Sequence, residues 1–165
     1  MLKRISLFFL VGADYIRNQN FTSGMSISAK NLKIKVSTIP QAGKGLFTTV
    51  DIPKGTIITE YTGRRVAWSE VENDVDNGYI YYIDDDNVID ALLDPKSPGR
   101  YANDAAGLTR VRGIKNNAEY YEEDNRVFIR AKTNIAAGSE IFVSYGPDYW
   151  KQIKDNIKID QAAKK

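Results

Sequence analysis

From Leu32 onward the chain runs in short stretches where apolar and polar residues alternate, and nearly every stretch ends at a turn-forming residue. Leu32 to Ser37 alternates in steps of two, the period of a strand with one face turned inward. Gly43, Gly45, Pro53 to Gly55, Gly63, Asn77-Gly78, Pro95, Pro98-Gly99, Gly107, Gly113 and Gly138 fall between such stretches, where a permissive or fixed φ supplies the turn. The pattern predicts a mainly β domain of many short strands with short helices. Two segments change period: Trp68 to Val75, with Ser69 available as a cap, and Asp148 to Ile159, where Trp150, Ile153, Ile157 and Ile159 approximate one helical face. There is no internal repeat and no low-complexity tract.

A chain of 165 residues suffices for one substantial hydrophobic core. The absence of Cys and His removes disulfides, thiolate nucleophiles, Ser-His catalysis and nearly every transition-metal site. A carboxylate-only cation site at Asp84-Asp85-Asp86 is disfavoured, because successive side chains of an extended segment point to opposite faces; no metal is expected. Catalysis is left to Tyr, Lys, Asp, Glu and the backbone, and the ten Tyr are the unusual resource. A net charge of +2 without a dense basic stripe gives no reason to expect direct nucleic-acid binding.

Charge is nonetheless uneven. Between Val66 and Pro95 stand nine acidic residues and no Lys or Arg. Any one cluster reads as a solvated face, but together they attract a basic peptide. At the other extreme, Lys3-Arg4, the apolar run Ile5 to Val11 and Gly12-Ala13 have the outline of a weak secretory signal. That run is too short to span a bilayer, and Met25 as the start, with residues 1–24 as an upstream extension or a disordered leader, is the competing reading. The expected organisation is an N-terminal extension over 1–30, a β domain over 31–147 and a helical segment over 148–165, a candidate lid.

Several short motifs occur in a fixed order: Gly43 to Thr49 with the turn Asp51 to Gly55, Glu60 to Gly63, Val88 to Ala91, Gly99 to Asn103, Asn117-Ala118, and Glu140 to Gly146. As an ordered set they resemble the SET-domain family of protein-lysine methyltransferases across residues 32–150. The resemblance implies a β-clip fold of several small sheets with a knot-like C-terminal threading. It implies S-adenosylmethionine as methyl donor and a basic protein with an exposed lysine as acceptor. A cytosolic donor in turn implies a cytoplasmic protein.

Residue by residue, the resemblance puts Gly43, Lys44 and Gly45 on one side of the donor and Arg100, Tyr101, Asn103 and Asp104 on the other, with Trp150 or Tyr149 against the adenine. Tyr145 takes the catalytic position, its hydroxyl beside the transferring methyl. Tyr61, Tyr120 and Val143 line the lysine channel. Plain alternatives stand beside these roles: a surface ion pair for Arg100, sheet packing for Tyr120 and a helix anchor for Trp150. The acceptor lysine must lose a proton, at a cost of roughly 4 kcal/mol near neutral pH from its reference pKa. With no His as base, a water path is the economical route.

The chain departs from the family in one region. Asp104 stands where the family usually has His, Ala105-Ala106 where Ser-Cys is common, and Gly107 to Gly113, with Arg110 and Arg112, reads as an inserted loop. These departures, with the missing Cys-rich flanks, keep open a non-catalytic module that binds basic peptides on the same scaffold. A secreted β domain of unrelated function is the third reading, resting on residues 1–13.

Overall fold

The computed structural model describes residues 25–164; the signal-like run and residues 1–24 of the extension lie outside them. In chain order the strands are β1 (Leu32–Val36), β2 (Lys44–Thr48), β3 (Ile57–Glu60), β4 (Arg64–Val66), β5 (Ile80–Asp84), β6 (Asn87–Asp90), β7 (Ala118–Glu123), β8 (Arg126–Ala131) and β9 (Glu140–Ile141). Helix α1 (Trp68–Val71) follows β4, α2 (Pro147–Ala163) follows β9, and single 3-10 turns span Ala29–Asn31 and Pro98–Tyr101. The strands form three antiparallel sheets of three strands each. This is the mainly β class that the turn spacing predicts.

The described residues divide into two compact units. The larger comprises 25–62 and 95–144 and contains the sheets β1-β2-β9 and β3-β8-β7. Its core is built from Leu46, Ile52, Ile58, Val127, Ile129, Ile141 and Val143, all at most 2% exposed. Strand β1 forms where the alternation places it, but of its apolar face only Leu32 is buried, and Ile34 and Val36 are left exposed on this edge strand. The β7–β8 hairpin turns at Asp124 and Asn125, both at positive φ, a conformation that these two residue types tolerate better than most.

The smaller unit comprises 63–94 and 145–164, with the sheet β4-β6-β5 and both α-helices. Val66, Val71, Ile80 and Val88 form its core, and Trp68, Tyr82, Tyr145, Tyr149 and Ile153 pack against them. Helix α1 is shorter than the pattern suggests, and Ser69 lies inside it. Its start is secured instead by Glu70, whose carboxylate accepts the Ala67 N–H at 3.0 Å. Beyond α1, Asn77 holds a turn, accepting from Tyr79 N and donating to the buried Asp90, each at 3.0 Å. Such local side-chain bonds compete with continuation of a helix. Helix α2 runs further than expected, from a Gly146 at φ 87° with Pro147 in the first turn. Its inward face passes through Ile153 and Asn156, and Ile157 is 37% exposed.

Candidate functional site

The loop between β1 and β2 closes with Ser37 N–H donating to Gly43 O at 2.9 Å, and Gly43 has φ 71° with open space where a side chain would be. Gly45 is constrained differently. A Cβ there would stand 2.1 Å from Glu140 Oε1, so the strand needs glycine to admit a carboxylate. That carboxylate is 4% exposed and accepts from every side. Oε1 takes Ser37 Oγ at 2.7 Å and Asn103 Nδ2 at 3.2 Å, and Oε2 takes Thr38 N and Thr38 Oγ1, both at 2.7 Å.

Asn103 is thereby fixed. Its Nδ2 donates both to Glu140 and to Lys44 O, the latter at 3.0 Å. Both partners are acceptors only, so the amide nitrogen must face them and the carbonyl Oδ1 must face away. No group among the described residues donates to that Oδ1. The Asn103 backbone is tied as well, accepting Val143 N–H at 2.9 Å beside a parallel bridge to Phe142.

Asn117 secures the opposite side of the same segment. Its Nδ2 donates to Glu140 O at 2.8 Å, and its Oδ1 accepts Phe142 N–H at 2.9 Å. Sequence reasoning placed Glu140 and Asn117 inside motifs but gave neither a task. A glycine in mid-strand was the one visible trace of Glu140.

Asp104 is 5% exposed and is occupied locally. Its Oδ1 accepts Ala106 N–H at 2.7 Å and Asn116 Nδ2 at 2.8 Å, while Asn116 Oδ1 accepts Ala105 N–H at 2.8 Å. The carboxylate therefore braces the base of the inserted loop. Arg110, on that loop, donates from Nε to Ala106 O at 3.3 Å. An open cavity of about 400 Å³ lies there, framed by Ala105, Arg110, Arg112, Ile114 and Lys115. Upstream, the Arg100 guanidinium lies 5.5 Å from the Tyr101 ring centre.

Tyr61 and Tyr120 are both buried and meet edge to face at 5.8 Å. Gly99 makes room for the first, since a Cβ there would be 3.2 Å from the Tyr61 ring. Val143 is fully buried. In the smaller unit, Tyr145 stacks on Trp150 at 5.9 Å and meets Tyr149 edge to face at 5.0 Å. The structure thus joins Lys44 to Asn103 directly and Gly45 to it by way of Glu140, Tyr61 to Tyr120, and Tyr145 to Trp150. Asp84 accepts from Asp86 N–H and from Asn87 Nδ2, and no group of three or more metal-ligating side chains gathers among the described residues.

Comparison with known proteins adds a separate line of support. The family model described as "SET domain" matches residues 43–146. The human protein named "Histone-lysine N-methyltransferase, H3 lysine-36 specific" is 30% identical over 121 residues, covering 68% of this chain and 4% of that protein. The mouse protein of the same name is 32% identical over 113 residues, covering 64% of this chain and likewise 4% of the relative. The match therefore spans a small part of each relative's length. By the ordered motifs, the small antiparallel sheets and the family match over residues 43–146, this chain belongs to the SET-domain family.

Proposed function

We propose that this chain is a protein-lysine N-methyltransferase that takes a methyl group from S-adenosylmethionine and places it on a lysine of a basic protein. The observation that carries the reading is Asn103, whose amide is locked with Nδ2 on Lys44 O and Glu140 and Oδ1 turned away from both. An outward carbonyl oxygen suits an ammonium, so Asn103 takes the amino group of the donor's methionine end. Gly43, with open space around it, lets the backbone of residues 43–45 approach the ligand closely. Arg100, Tyr101 and the backbone of Asp104 complete this wall, and the family resemblance assigns the adenine to Trp150. The donor supplies an activated methyl on a sulfonium.

The chain's own part is alignment and the handling of charge. The family resemblance assigns Tyr145 the catalytic role, its hydroxyl holding the lysine amine in line. The paired rings of Tyr61 and Tyr120, with Val143, suit a methylene stem that ends in an ammonium. No histidine is present to take the lysine's proton, which leaves to water. The acidic run between Val66 and Pro95 draws a basic segment toward the protein. Relatives named for histone H3 lysine 36 make a histone-like tail the substrate class of choice. A cytosolic donor places the enzyme in the cytoplasm.

The test is label transfer from radiolabelled donor to a lysine-rich protein mixture. Tyr145→Phe is expected to cut transfer by about a hundredfold, the scale of a lost alignment, while donor binding stays near that of the unaltered protein. One observation favours a second reading, a non-catalytic module holding basic peptides: Asp104 stands at the family's His position, committed to bracing a loop. Saturable donor and peptide binding with no transfer to any protein would establish that reading instead.

A further inference from the structure

We infer that Glu140 is the positioning residue of the donor pocket, holding Asn103 in the orientation that turns Oδ1 outward. The inference rests on the donor-binding reading above. Glu140 lies beneath the surface, and its carboxylate joins three segments that frame the pocket: Ser37–Thr38 at the start of the β1–β2 loop, Gly45 on β2, and Asn103. Every one of its partners donates, so the residue works purely as an acceptor. Lys44 O holds one N–H of the Asn103 amide, and Glu140 holds the other. With both engaged, rotation about the terminal torsion, otherwise broad for an amide, is closed off.

Glutamine at 140 keeps the shape and breaks the pattern. Its single carbonyl oxygen serves either Thr38 or the Ser37–Asn103 side, and its amino group then faces donors on the other. In the first arrangement two amide NH2 groups oppose each other and Asn103 turns. In the second the loop at Thr38 is released from the carboxylate. The second sets the amino group against the Thr38 backbone N–H, which cannot turn away, whereas the Ser37 hydroxyl and the Asn103 amide can. The first is therefore favoured, and in it the ammonium end of the donor loses its acceptor while the nucleoside end is untouched.

The experiment measures binding of S-adenosylhomocysteine and of 5′-methylthioadenosine, which share the nucleoside thioether but not the amino-acid end. Glu140→Gln is expected to weaken S-adenosylhomocysteine about tenfold, the scale of one lost hydrogen bond, and to leave 5′-methylthioadenosine within about twofold. In an Asn103→Ala background the same substitution is expected to add no further loss. Equal weakening of both ligands, or a full added loss in that background, overturns the inference and leaves Glu140 a structural brace. Should Glu140→Gln fail to fold, Thr38→Val, on an exposed residue, removes one 2.7 Å bond to the carboxylate and must show the same selectivity on a smaller scale; its absence counts equally against the inference. If the unaltered protein binds neither ligand, the donor reading itself fails, an outcome distinct from loss of selectivity.

Discussion

At position 45 a single methyl group decides between fitting and clashing. Gly45→Ala would bring Cβ to 2.1 Å from a buried carboxylate oxygen that is itself held by hydrogen bonds, so the neighbour cannot step aside. We expect a loss of about 1–3 kcal/mol, the range for overpacking, read as a lower urea midpoint with an unchanged slope. An unaltered midpoint would show that Glu140 yields. The sequence places Gly45 beside the donor by resemblance and does not name the buried carboxylate that also lies against it. Only the register of β2 against β9, Phe47 opposite Glu140, reveals that neighbour. Asp104 teaches the same lesson, because a carboxylate beside a presumed pocket could face the ligand or its own loop, and only the Asn116 and Ala106 contacts decide.

Among the elements, the strands were easier to read than the helices. Turn residues punctuate strands directly, whereas the length of α1 depends on Glu70 and Asn77, whose bonds to Ala67 and Tyr79 end or begin local structure. In α2 the apolar residues suggested one face, but packing chose Ile153 and Asn156 and left Ile157 outside. On the solvent side of α2, Asp155 is bracketed by Lys158 at 2.9 Å and Lys151 at 3.3 Å. The hydrogen bonds from Lys158 and then Lys151 hold its carboxyl below the ordinary 3.8. A lowered folded value means that the pair favours the folded helix above the unfolded pKa and that this support is lost as pH falls through the folded one. Replacing Lys158 by Met should move the Asp155 midpoint up toward 3.8, as read by carboxyl carbon NMR; an unmoved midpoint would mean that the lysine is not engaged in solution.

Over the whole molecule, the mainly β class was legible from punctuation alone, and the family from motif order. The division into two units was not, because each unit is assembled from segments far apart in the chain, 63–94 with 145–164 in one case. Hydrophobic patterning reports which residues are inward and says nothing of which segments share an inside. Charge distribution makes the prediction at this scale. If the acidic run between Val66 and Pro95 steers a basic partner, affinity for a lysine-rich peptide should fall steeply as salt rises from about 0.05 M to 0.5 M, over which the Debye length shrinks well below 10 Å. Asp84→Asn with Asp86→Asn should flatten that dependence, and an identical salt slope in this variant would remove the acidic run from recognition.

The smallest strand governs when the proposed pocket can exist. Strand β9 meets β2 through only two residue pairs, yet its Glu140 bonds Ser37 and Thr38, 103 and 102 residues earlier. Closing so long a loop is entropically slow and comes late in folding. While the chain is being synthesised, at about 5–20 residues per second, Asn103 has no carboxylate to orient it until residue 140 has emerged and docked. A nascent or misfolded chain therefore presents the glycine turn and the asparagine without a working pocket. Capture of the methyl donor would then be a property of the finished fold alone, and a stopwatch for its last step.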